Sequence, residues 1–284
     1  MRGRISLLLV ICVLLVHAAG CLSDSSGSGE NDAVTVAVSI LPQKTFVEAV
    51  GGTRVDVLVM VPPGASPATY EPTTDQLVAL ASADMYVKIG SDLPFERVYL
   101  PRLVEANPSM SMVDSGEGIE IVEHDPHTWT APPNAMIMVD HIADALVATD
   151  PAYQDTYLQN RDAYLAELAE LDAEIRGTLK GMEGESFMVF HPAWGYFARE
   201  YDLEQIPIEV EGKEPSPGEL AALIQRAEEE NISVIFVNPQ MNTESAEVIA
   251  AQIGATLVPA DPLAANYTQN LRDFAEHIAA EGAA

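Results

Sequence analysis

The sequence predicts an α/β fold of two lobes, each a parallel sheet flanked by helices, joined by one long rigid backbone helix. Short β-branched runs alternate with helical patterns in the first half of the chain, and the same grammar returns after residue 184. Between the halves lies the longest uninterrupted helical pattern. Strands of this length alternating with helices argue for βαβ units.

In the first lobe, 34–40 (VTVAVSI), 55–61 and 85–89 read as strands with helical patterns between them. The linking helix is expected over 151–182, with Asp150 as N-cap and Pro151 at the first helical position. Tyr157, Leu158, Tyr164, Leu165, Leu168, Leu171, Ile175 and Leu179 recur at helical spacing, and Gly181 and Gly184 would end it. About 32 residues at a 1.5 Å rise would span roughly 48 Å, enough to cross both lobes. No glycine or proline interrupts 152–176, so the helix should behave as a stiff spine. In the second lobe, 186–190, 206–210, 234–237 and 256–258 read as strands, with helices at 219–229 and 243–253 between the later ones.

The first twenty residues have a different character. Arg2 and Arg4 precede an apolar run over 5–16 and then His17-Ala18-Ala19-Gly20 before Cys21, the layout of a secretory signal with a small-residue cleavage site. Twelve apolar residues fall short of the roughly 20 needed to span a bilayer. The residues before Cys21 resemble a lipobox, which makes Cys21 the lipidation site, and 21–33 reads as a polar, acidic tether reaching on the order of 20 Å. The expected organisation is 1–20 signal, 21–33 tether, 34–150 N-terminal lobe, 151–182 linking helix and 183–284 C-terminal lobe. The one other cysteine, Cys12, lies in the removed segment, so the mature chain has no intrachain disulfide.

Removing residues 1–20 takes away Arg2 and Arg4 and no acid, so the formal charge moves from −29 to −31. Such a field disfavours nucleic acid and anionic lipid surfaces as partners.

Three distant segments each set a metal-ligand residue beside a proline at a strand end or turn: Asp125-Pro126-His127, Phe190-His191-Pro192 and Ala260-Asp261-Pro262. In a two-lobe α/β protein such positions converge on the crevice at the carboxyl ends of the strands. Imidazole and carboxylate together suit zinc, manganese or iron, whereas calcium and magnesium prefer oxygen alone. His141 and His277 fall within helical patterns, and His17 lies in the signal; none is expected to bind metal.

Asp125-Pro126-His127-Thr128-Trp129 with Pro133-Asn134-Ala135, the run from Phe190 to Phe197 (FHPAWGYF), and Asp261-Pro262-Leu263 with Tyr267 resemble ligand motifs of the cluster A-I (cluster 9) substrate-binding lipoproteins of zinc and manganese ABC transporters, the ZnuA/TroA-like group. Glu214-Pro215-Ser216-Pro217 resembles a further segment, and the likeness runs from about Val34 to Ile278. The resemblance implies two lobes on a rigid helix, a divalent metal held between them by His127, His191 and Asp261, and delivery to a membrane permease with its ATPase. It also makes 64–72 the first ligand segment, whose usual histidine falls at Ala68. Three consequences stay open: three protein ligands plus water; completion by His124, Tyr70 or Glu71; or loss of tight binding.

The expected function is thus an extracytoplasmic, lipid-anchored, monomeric receptor that captures zinc, or next manganese, for an ABC importer. It is not expected to be an enzyme. The alternatives are a zinc-dependent hydrolase with a three-ligand site and a metal-binding surface adhesin. No HExxH-type pairing of ligand and base supports the hydrolase.

Overall fold

Two four-stranded sheets with the same strand order frame the molecule. The computed structural model describes residues 33–209 and 212–282. The first sheet contains β1 (Val34–Val38), β2 (Val55–Val59), β3 (Met85–Lys88) and β4 (Ser111–Asp114) in the order β2-β1-β3-β4. The second contains β5 (Ser186–Val189), β6 (Glu204–Pro207), β7 (Val234–Val237) and β8 (Thr256–Pro259) in the order β6-β5-β7-β8. Every pairing is parallel. The central strands β1, β3 and β5 are almost wholly buried, as expected of strands covered on both faces.

Helices α1 (Leu41–Gly51), α2 (Thr74–Leu80), α3 (Pro94–Ala106) and α4 (Pro132–Thr149) belong to the first half of the chain. After the long α5 (Gln154–Thr178) come α6 (Gly195–Glu200), α7 (Pro217–Glu229), α8 (Glu244–Ile253) and α9 (Tyr267–Gly282). Local chemistry fixes several starts. Thr73 accepts from the Gln76 amide to open α2, and Ser216 accepts from the Glu219 amide to open α7, with Pro217 in the first turn. α8 stops at Gly254, whose left-handed backbone (φ +77°) allows its amide to bond Ala250.

The linking helix differs from expectation at both ends. It begins as a 3-10 turn at Pro151–Tyr153 and continues as α5 to Thr178, 28 residues in all. Asp150 stands at the N-cap position with Pro151 in the first turn, as expected, but its side chain makes no capping hydrogen bond. The Asp150 carboxylate instead accepts from the Tyr157 hydroxyl at 2.9 Å and pairs with Arg54 at 3.3 Å, fastening the helix start to the turn before β2. At the far end the chain leaves the helix at Leu179, and Met182 bonds back to Leu179 in a turn containing left-handed Gly181. The strand β4 was not expected; it is short and sits at the sheet edge, so little apolar sequence marks it.

Tyr157, Tyr164, Leu168, Leu171 and Ile175 of α5 are buried along one stripe, at the helical spacing read in the sequence. They enter a core that is continuous across both sheets, running from Val36 and Val87 to Phe187, Phe236 and Phe274. A second cluster lies beneath α7 and α8. Phe274 of α9 is the hub of the aromatic packing. It stacks on Trp194 at 3.8 Å and meets Phe187, Phe197 and Phe236 at 5.6, 5.0 and 4.7 Å.

Among the described residues no helix is long and apolar enough to cross a membrane. The signal segment 1–20, with His17 and Cys12, the lipidation candidate Cys21 and the tether through Asp32 lie outside the described residues.

A core shared by both sheets should unfold as one unit. Phe274→Ala is expected to cost about 3–5 kcal/mol, as aromatic truncations in packed cores do, and to lower a single calorimetric transition. Two separable transitions, one of them insensitive to this substitution, would contradict the shared core.

Candidate metal centre

His127 and His191, 64 residues apart, meet with their Nε2 atoms 3.4 Å from one another. The rings stand nearly perpendicular, with centroids 5.1 Å apart.

His127 is delivered by a constrained loop. Glu123 and His124 both adopt left-handed backbone (φ +50° and +62°), closing a turn in which the Asp125 amide bonds Val122 O at 2.8 Å. Left-handed non-glycine residues cost roughly 1–2 kcal/mol each, so the turn is held by its surroundings. The Tyr196 hydroxyl supplies part of that hold, lying 3.1 Å from the Val122 amide and 3.2 Å from Asp125 O. Ser91 Oγ donates to Pro126 O at 2.5 Å. After His127 the chain forms a 3-10 turn (Thr128–Thr130) whose Thr130 amide and hydroxyl both bond His127 O.

Asp125 serves its own loop. Its Oδ1 accepts from the His127 amide at 2.9 Å and contacts His127 Nδ1 at 2.6 Å. An ionised carboxylate only accepts, so Nδ1 carries the proton and Nε2 presents a lone pair. A Cβ at Gly195 would lie 2.6 Å from Asp125 Oδ2, so a larger residue there would have to displace this carboxylate. Burial pushes the His127 pKa down, against the upward pull of Asp125, which favours the neutral imidazole that ligates metals.

His191 lies just past the end of β5, as its place in the sequence implied. The strand pairing continues beyond β6, with Ile208 N bonding Val189 O and Glu209 N bonding Phe190 O, both at 2.9 Å. That register sets the buried Glu209 beside His191, with both carboxylate oxygens 3.3 Å from Nδ1.

Asp261 stands two residues past β8, on a loop joined to the His127 loop. The Trp129 indole donates to Pro262 O at 2.7 Å, and the Tyr267 hydroxyl donates to Trp129 O at 2.7 Å. The Asp261 carboxylate, however, accepts from the Leu263 amide of its own turn at 2.9 Å. Among the described residues no three His, Cys, Asp or Glu side chains are gathered closely enough to hold a metal. The two imidazoles are together, and the Asp261 carboxylate, on the adjoining loop, accepts from its own turn.

The residues that could replace the histidine expected at position 68 are differently occupied. Ala68 is exposed. The Tyr70 hydroxyl donates to Gln76 Oε1 at 2.8 Å, and the Gln76 amide in turn donates to Met60 O at 2.7 Å. Glu71 is hydrogen-bonded to Tyr99. His124 is exposed on its turn. Away from this centre, His141 Nδ1 lies 3.0 Å from Ser115 O, and His277 Nδ1 lies 2.6 Å from Asp273 O within its helix.

Sequence reading named the two histidines that the structure brings together, but not their carboxylate partners. Asp125 was visible two residues before His127. Glu209 gave one signal, an acidic residue closing the apolar run Ile206-Pro207-Ile208.

A family model described as the zinc-uptake complex component A, periplasmic (ZnuA), matches residues 36–281. The high-affinity zinc uptake system protein ZnuA of Bacillus subtilis (strain 168) is 30% identical over 271 residues, covering 86% of this chain and 83% of that protein. The manganese-binding lipoprotein MntA of Halalkalibacterium halodurans is 27% identical over 259 residues, covering 87% and 85%. A crystal structure of ZnuA matches with a TM-score of 0.85 and 45% identity, covering 88% of this chain and 99% of that one. The chain belongs to the ZnuA family of zinc-uptake components.

Proposed function

We propose that this protein is an extracytoplasmic solute-binding protein that captures a divalent transition metal, zinc ahead of manganese, and hands it to an ABC permease powered by its ATPase. The observation that carries this reading is the facing pair of imidazole nitrogens at 3.4 Å. Two lone pairs so close repel each other unless a cation or proton lies between them, and borderline-soft nitrogen donors suit zinc.

In this reading His127 and His191 are the first two ligands and Asp261 is the third. Asp261 joins by turning its carboxylate away from the Leu263 amide, giving up a hydrogen bond worth about 1 kcal/mol. Water completes the shell on the side of Ala68, since Tyr70 and Glu71 are engaged in the scaffold of their own loop. The metal is cargo. Among the described residues the two carboxylates that contact the histidines, Asp125 and Glu209, are both spent on imidazole nitrogens, and this disfavours the hydrolase.

Lipidation of Cys21 would hold the protein at the outer face of the membrane as a monomer, with 21–33 as tether, 34–150 and 183–284 as lobes and 151–182 as the linking segment. The strongly acidic mature chain would concentrate cations near its surface and steer them inward.

Calorimetry on chelator-stripped protein tests the site. His127→Ala and His191→Ala should each weaken zinc binding by more than about 100-fold, beyond the 10- to 100-fold typical of losing a ligand's hydrogen-bond partner. Asp261→Ala should also weaken it, by less. Unchanged zinc and manganese affinity in all three would refute the assignment.

Ala68→His should raise zinc affinity and slow release, because a fixed imidazole replaces exchangeable water, with a smaller effect on manganese. An unchanged affinity and off-rate would mean that the fourth position is already filled. Cys21→Ser should move the protein from the membrane fraction to the soluble extracytoplasmic fraction; retention at the membrane would exclude the lipid anchor.

A further inference from the structure

We propose that Glu209 is a positioning residue for His191: its buried carboxylate accepts a hydrogen bond from Nδ1–H and so leaves the Nε2 lone pair for the metal. The inference rests on the metal-binding reading above and adds to it a residue outside the ligand motifs.

The geometry has three parts. Glu209 is only 4% exposed, so its charge depends on protein partners. Both of its oxygens are 3.3 Å from His191 Nδ1, a shared contact that a donated proton satisfies and a lone pair on Nδ1 would not. The backbone that carries it is fixed, because the Glu209 amide bonds Phe190 O, the carbonyl immediately before His191. Glu209 and His191 thus lie just past the ends of adjacent parallel strands, and their side chains meet through the register of β6 on β5.

On the other side of the pair, Asp125 does the same for His127 from within a single loop. The two imidazoles are therefore oriented from opposite sides, one by a neighbour in sequence and the other by a neighbour in the sheet. Losing either proton acceptor frees the ring to take the other tautomer, in which Nε2 bears hydrogen and cannot ligate. A carboxylate on the distal nitrogen also raises the basicity of the ligating one, and removing such partners typically costs 10- to 100-fold in metal affinity.

The test uses purified, metal-stripped protein and zinc as the probe. Two-bond 15N–1H correlation spectra report which imidazole nitrogens are protonated, and His191 Nδ1 is expected to carry a proton in the parent, whether or not a proton is also shared between the facing Nε2 atoms. Glu209→Ala should shift His191 toward the Nε2–H form, leave His127 unchanged and weaken zinc binding by about 10- to 100-fold. Glu209→Gln keeps an oxygen acceptor without the charge, so it should retain the tautomer and lose less affinity than Glu209→Ala. A parent protein in which His191 Nδ1 carries no proton would overturn the proposal without any variant, even if Glu209→Ala fails to fold. So would a folded Glu209→Ala with unchanged tautomer and unchanged zinc affinity. Failure of the parent to bind zinc would instead strike the metal-cargo reading, and the tautomer result would stand apart from it.

Discussion

Hydrogen bonds that cross between the halves of the chain hold the candidate site in shape. The Trp129 indole reaches Pro262 O, the Tyr267 hydroxyl reaches Trp129 O, and the Tyr196 hydroxyl reaches Asp125 O. Thr45 Oγ1 adds a fourth link to Ala265 O at 2.7 Å. Each ties a loop of one half to a segment of the other, and Trp129 and Tyr267 are buried. A buried donor stripped of its partner costs about 1–3 kcal/mol, so separating the halves would forfeit several such bonds together with the shared core. That favours small rearrangements of side chains over a wide opening of lobes.

The same economy governs the electrostatics of the centre. A chain with so many carboxylates could have crowded acids around the cation, but the two placed closest to the histidines face the outer nitrogens. They act through the rings, adding negative charge near the site while leaving nitrogen donors at its surface. Burial lowers the His127 pKa and so favours the neutral ring, the form the proposed site would need to receive a cation.

Much of this was legible in the amino-acid order. The parallel-sheet class followed from β-branched runs alternating with helical patterns, and Tyr157 through Ile175 marked the long helix by spacing alone. Features that depend on distant partners were not legible. Asp150 sits where an N-cap belongs, yet its carboxylate goes to Arg54 and Tyr157, and nothing local distinguishes a capping aspartate from one recruited by a guanidinium nearly a hundred residues away. The edge strand β4 is four residues long and half exposed, too short for alternation to register. At the site, His127 and His191 stood out because proline and strand ends frame them. Glu209 did not, because its role exists only once β6 has paired with β5 in one register.

The position of α9 has a consequence for the order of events in a cell. His127 and His191 are synthesised well before Phe274, yet Phe274 closes the aromatic cluster around Trp194, and Tyr267 secures the loop that follows His127. A chain emerging from its amino terminus therefore carries both histidines for some time without the packing that points them at each other. The facing imidazoles therefore exist only in the finished fold, and the proposed capture of a cation must wait for the docking of α9.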